Sequence, residues 1–164
     1  MIELKPISKA AIPAALAKAE RYRLLNEPDQ AESICLDILA IEPDNQDALI
    51  TLLLSLTDQF DDLTSSSRAA HAVGEVVLRL HDDYQRSYYA GIICERRGRS
   101  HLRQGRLASA AVEWLREAMS YYERAERLRP EGNDDAVLRW NACVRLLMTL
   151  PEPAELREEP LQLE

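Results

Sequence analysis

One recurrence constrains this chain more than any other feature. Ala15, Lys18, Ala19 and Tyr22 are followed 34 residues later by Leu49, Leu52, Leu53 and Leu56. Between them Ala31, Cys35 and Ile38 keep helical spacing, and Glu42-Pro43-Asp44-Asn45 interrupts it. The segment therefore reads as two short helices, a break, and a third helix that restarts the first. A helix–turn–helix unit of this period cannot bury its apolar face alone. It gains a core by stacking on its neighbours.

Nothing competes with an all-α reading. Glycine numbers only 5, and no alternating run of Val, Ile or Thr exists to build a strand. Helix 1 is expected from Ser8 or Ile12-Pro13 to about Leu25, with proline in its first turn, and helix 2 over about 29–41. Asn45 is the expected cap of helix 3, about 47–57. The run Thr64-Ser65-Ser66-Ser67 offers caps for helix 4, which ends near Leu80. Helix 5 is expected over about 83–104, stopped by Gly105, and helix 6 over about 107–129, before Pro130-Glu131-Gly132-Asn133. Helix 7 covers about 134–150. Residues 1–150 thus form one helical domain, and 151–164 an acidic tail.

The chain resembles the tetratricopeptide repeat family. Its first repeat carries Ala19, Tyr22, Ala31 and Pro43 at the family positions, with Lys18 where Leu is usual and Cys35 where an aromatic is usual. The second keeps Leu49, Leu52, Leu56 and Ala72. The third keeps Gly98, Gly105, Ala110 and Trp114, while Arg97 and His101 replace Leu and Tyr. The resemblance implies a right-handed stack of about seven helices, whose alternate helices line a concave groove for peptides or partner proteins. The family's carboxylate clamp of Lys, Asn and Arg is matched only at Arg96, because Leu16, Glu20 and Thr51 stand at the other sites.

The third unit departs from the repeat by being stretched. Helix 6 shows an unbroken seam at Leu107, Ala111, Trp114, Ala118, Tyr121, Ala125 and Leu128. It spans roughly 35 Å, and helix 5 begins about two turns early to match it. Helix 5 opposes with Ser87, Gly91, Cys94, Gly98 and His101. The extension gathers Tyr84, Tyr88, Tyr89, Tyr121 and Tyr122, either as packing or as an aromatic pocket.

Charge supplies the functional clue. Residues 84–116 hold seven arginines against Glu95 and Glu113, a local +5 in a chain of net −8. Arg96, Arg99 and Arg103 share one helix face, and their forks suit carboxylate or phosphate. They are the expected partner-binding residues, for a protein or peptide that is acidic. The overall acidity argues against general nucleic-acid binding. No membrane span and no secretory leader are read, so the expected setting is the cytoplasm. Cys35, Cys94 and Cys143 are widely spaced in apolar patterns and are expected to be buried thiols. His81 with Asp82 and Asp83 reads as a helix start rather than a metal site. No phosphate loop, nucleophile–base pair, metal motif or cofactor signature occurs.

The expected function is a non-catalytic scaffold or adaptor that needs no cofactor. The alternative is a structural homo-oligomer. Helix 7 prompts it: Val137, Trp140, Val144, Leu147 and Met148 can cover helix 6, which leaves Leu138, Ala142, Leu146 and Leu150 for a second copy or for the tail leucines Leu156, Leu161 and Leu163.

Overall fold

A computed structural model of the chain describes residues 1–151. Among the described residues there are seven α-helices and no strand: α1 (Ile12–Leu24), α2 (Pro28–Ile41), α3 (Gln46–Thr57), α4 (Ser66–Leu78), α5 (Asp83–Arg103), α6 (Ala108–Leu128) and α7 (Asp135–Leu147). A single 3-10 turn (Lys9–Ala11) leads into α1. Each helix packs mainly on its chain neighbours, with α1 also touching α3 and α3 touching α5. That is the contact order of a helical stack. None of these helices is long and apolar enough to cross a membrane.

The boundaries follow local chemistry. Pro13 and Pro28 sit in the first turns of α1 and α2, where a missing N–H costs nothing. Asn45 caps α3, its side chain accepting from the Ala48 amide at 2.9 Å. Asp82 caps α5 through the Gln85 amide at 2.8 Å, the role its position implied. Gly105 takes φ 65° just past α5, a conformation that costs an L residue more than glycine. The serine run departs from expectation. Ser65 stands at the N-cap of α4 without a side-chain cap bond.

Two apolar centres hold the stack. The first fills α1–α4 with Ala19, Ala31, Cys35, Ile38, Leu49, Leu53, Leu56, Val73 and Leu80, and takes Ile93 from α5. The second joins α5, α6 and α7 through Ile92, Leu115, Ala118, Tyr122, Ala125, Ala136 and Cys143. Leu54 and Tyr89 pack against both, so the centres meet across the α3–α5 contact. All three cysteines are buried and free.

The long third hairpin is present. α5 and α6 have 21 residues each and form the most extensive helix pair. Their seam is shifted from the expected one. Ala111, Ala118 and Ala125 are buried as read, but Leu115 and Tyr122 lie between them instead of Trp114 and Tyr121, and Leu107 and Leu128 are exposed. The reason is that α6 packs on α7 as well as α5. Its buried face therefore centres between two neighbours rather than on one. Tyr122, not Trp114, is the largest side chain fully enclosed.

α7 is also rotated from expectation. Ala136 and Cys143 are its buried residues, and Trp140, Leu146, Leu147 and Leu150 pack on the second centre. Met148, expected to cover α6, is 78% exposed, and Leu138 is 64% exposed. The second apolar strip is thus largely absorbed by the fold, with Leu138 its one exposed member. Leu156, Leu161 and Leu163 lie outside the described residues.

Candidate functional site

Alternate helices bring the arginine stripe to one groove of about 350 Å³. α1 contributes Arg23, the end of α3 and its turn contribute Thr57, Asp58 and Asp61, α5 contributes Glu95, Arg96, Arg99 and Arg103, and α7 contributes Arg139. The three expected binding residues do share this wall. What the sequence did not disclose is that each has a carboxylate already.

Arg96 reaches across to α3, donating to Asp58 at 2.5 Å and to the Thr57 hydroxyl at 2.7 Å. Arg23 holds the other oxygen of Asp58 at 2.8 Å. One carboxylate therefore ties α1 and α5 to the C-terminus of α3. Burial pushes the Arg96 guanidinium down from its ordinary pKa, against the pull of Asp58. Arg103 donates through Nε to Asp61 at 2.6 Å, with both side chains about half exposed.

Glu95 is the least expected member. It is 1% exposed, yet its carboxyl group faces the arginines. A buried carboxylate is tolerated only when its lone pairs are matched. Arg99 donates Nε to it at 2.9 Å, Arg139 approaches at 3.5 Å, and the Tyr122 hydroxyl donates at 2.6 Å. The partners come from α5, α7 and α6, so this one side chain pins three helices. Burial, followed by the adjacent Glu95 charge, pushes the Tyr122 phenol far above its ordinary range. The phenol therefore remains a donor at every physiological pH. Burial opposes the charge of Arg139, but Glu95 together with the Tyr88 and Tyr122 hydroxyls outweighs it, which leaves Arg139 held above its ordinary value.

Among the described residues, five arginines thus face three carboxylates in the groove, an excess of two positive charges. Arg99 and Arg103 use only Nε on their carboxylates. Each guanidinium carries five N–H donors, so the outer edges of both forks are left for a further acceptor.

The tyrosines are packing. Tyr84 stacks on Tyr88 at 5.8 Å, Tyr88 meets Tyr89 edge-on at 5.1 Å, and Tyr88 lies 6.0 Å from Tyr122. This column closes the extended end of α5 against α6. Tyr121 is apart from it, on the α4 side of the hairpin.

Sequence reading located Arg96, Arg99 and Arg103 but missed Arg23, Asp58, Asp61, Glu95 and Arg139. Only Glu95 left a local trace, the i, i+4 spacing to Arg99. The others lie 35 to 44 residues from their partners in the chain. Comparison of the chain with protein-family models, with curated proteins and with solved structures finds no match.

Proposed function

We propose that this protein is a non-catalytic interaction scaffold whose arginine-lined groove takes an acidic segment of another protein or peptide. The observation that carries the reading is the groove's unbalanced charge, with the outer edges of the Arg99 and Arg103 forks directed to no acceptor among the described residues. The paired carboxylates fix the guanidinium planes before a ligand arrives, which lowers the ordering cost of binding. They also make the site selective, because a basic or neutral segment would leave the excess charge uncompensated. The groove has no nucleophile beside a base, so recognition rather than turnover fits its contents. The reading agrees with the family resemblance and with a cytoplasmic setting.

The test is a peptide library displayed on phage and selected on the full chain, followed by fluorescence polarisation of the enriched peptides. Acidic peptides should be enriched, and their affinity should fall steeply with salt. Arg103→Ala with Arg139→Ala should weaken them while the far-ultraviolet circular dichroism stays helical. Enrichment of peptides without acidic residues, or equal affinity for the double variant, overturns the proposal.

A further inference from the structure

A second cavity, separate from the groove, differs from it in one decisive respect: among the described residues its wall holds no carboxylate. It encloses about 190 Å³ where the start of α4 splays from the end of α5 and the start of α6. Ser66 and Ser67 face it from α4, Arg97 and His101 from α5, Arg106 from the following turn and Trp114 from α6. In the groove every arginine has an acid. Here no carboxylate of the described residues faces the positive charge.

The polar atoms around this cavity are also unusually short of partners. Among the described residues, Arg97 Nε and His101 Nδ1 are buried without a hydrogen-bond partner. A buried polar group in this state costs about 1–3 kcal/mol, so two facing one space point to an occupant. Burial, then Arg106 and Arg97, hold the His101 imidazole below its ordinary pKa, as expected beside uncompensated positive charge. Arg97 is not free to swing away. Its guanidinium lies 4.9 Å from the centre of the Trp114 ring and 5.7 Å from that of Phe60, and it donates to the Ala70 carbonyl at 2.9 Å. The aromatic rings thus hold a cation in place against a polar space.

From this geometry we propose that the α4–α5–α6 cavity binds a phosphate-class oxyanion. Arg97 and Arg106 supply the charge, and the Ser66 and Ser67 hydroxyls and His101 supply further donors. Donors from α4, from α5 and from the turn after it surround the space. That arrangement matches a tetrahedral dianion better than a planar carboxylate, which bonds in one plane. The volume is roughly six times that of a water molecule in the liquid, so a phosphate leaves room for a small organic group. Trp114 offers that group an apolar wall. The proposal is independent of the groove, because the two sites share no residue.

The experiment is a titration of the full chain at constant ionic strength with inorganic phosphate, phenyl phosphate and benzoate. It is read by NMR at the Trp114 indole and the His101 imidazole. Saturable shifts with either phosphate, and a rise in the pH at which His101 titrates, are expected. Equal affinity for the two phosphates assigns the site to the free ion, and tighter phenyl phosphate assigns it to a monoester; both support the proposal. Arg106→Ala, at an exposed turn, should weaken binding about tenfold. Arg97→Lys should weaken it as well, and Arg103→Ala in the groove should leave it unchanged. No saturable shift with either phosphate, unchanged affinity in Arg106→Ala, or benzoate binding more tightly than phenyl phosphate overturns it.

Discussion

Replacing Gly91 by alanine should destabilise this protein, although alanine is the better helix former. Gly91 lies inside α5, where the exchange alone favours the helix by about 1 kcal/mol. A Cβ there would stand 2.5 Å from Cε1 and 2.7 Å from Cδ1 of Tyr122. Ordinary carbon contacts are about 3.5–4.0 Å, so the ring must retreat by roughly 1 Å. Tyr122 has no space to retreat into, being fully buried between α5 and α7. Its hydroxyl is also fixed at 2.6 Å from Glu95. Overpacking of this kind costs about 1–3 kcal/mol. Stretching a buried hydrogen bond to a charged acceptor adds about 1.5–3 kcal/mol. Against the helix gain, the net loss should be about 2–4 kcal/mol, or near 10 °C in Tm for a chain of this size. Gly74→Ala is the matched control. It lies inside α4 with nothing within 4 Å of the added carbon, and should stabilise by about 0.5–1 kcal/mol. Thermal denaturation of both variants, and of Gly91→Ala on a Tyr122→Leu background, reads the effect. A neutral or raised Tm for Gly91→Ala, or an equal loss on the leucine background, refutes the close α5–α6 approach.

Other outcomes follow from the same structure. Tyr122→Phe should cost about 1.5–3 kcal/mol by denaturant titration, because it removes one donor from a buried carboxylate. Arg103→Ala should cost less than about 1 kcal/mol, its pair with Asp61 being half exposed. Burial pushes the Cys35, Cys94 and Cys143 thiols up to about 12, about 11 and about 12, so a thiol reagent at pH 8 should react only as fast as the protein unfolds. Hydrogen bonds from Arg68 hold Glu32 below its ordinary pKa. That stabilisation is present above the carboxylate's unfolded pKa and lost as pH falls through the lower folded value. Melting curves from pH 6 to pH 3 should therefore drop less steeply for Arg68→Ala than for the parent.

The readable part of the fold was the part written in short-range periodicity and breakers. Asn45, Asp82, Gly105 and Pro13 each act within one turn of themselves, and each ended or opened a helix as expected. The rotation of α6 was not readable in this way. Leu115 and Trp114, like Tyr122 and Tyr121, are adjacent in sequence, and choosing between them requires knowing that α7 packs on α6 as well. The same ignorance misplaced Met148 and Leu146 on α7. At the site, one helix face gave the arginines, since their spacing is local. Their partners Asp58 and Asp61 come from the end of α3 and its turn, and no local pattern links a loop aspartate to a helix packed on it from 38 to 42 residues away. Glu95 was visible as an exception in a basic band, but its burial came from the meeting of three helices.

The central claim is that the groove between α1, α3, α5 and α7 is the recognition surface, and that acidic groups engage its arginines. The most direct measurement is NMR of the arginine Nε–Hε resonances during titration with an acidic peptide selected on the chain. Arg99 and Arg103 should shift most, followed by Arg139, Arg23 and Arg96, with Arg86 and Arg124 on the opposite side of the hairpin unmoved. Shifts confined to arginines outside the groove, or a bound peptide that leaves Arg99 and Arg103 unperturbed, would contradict the account.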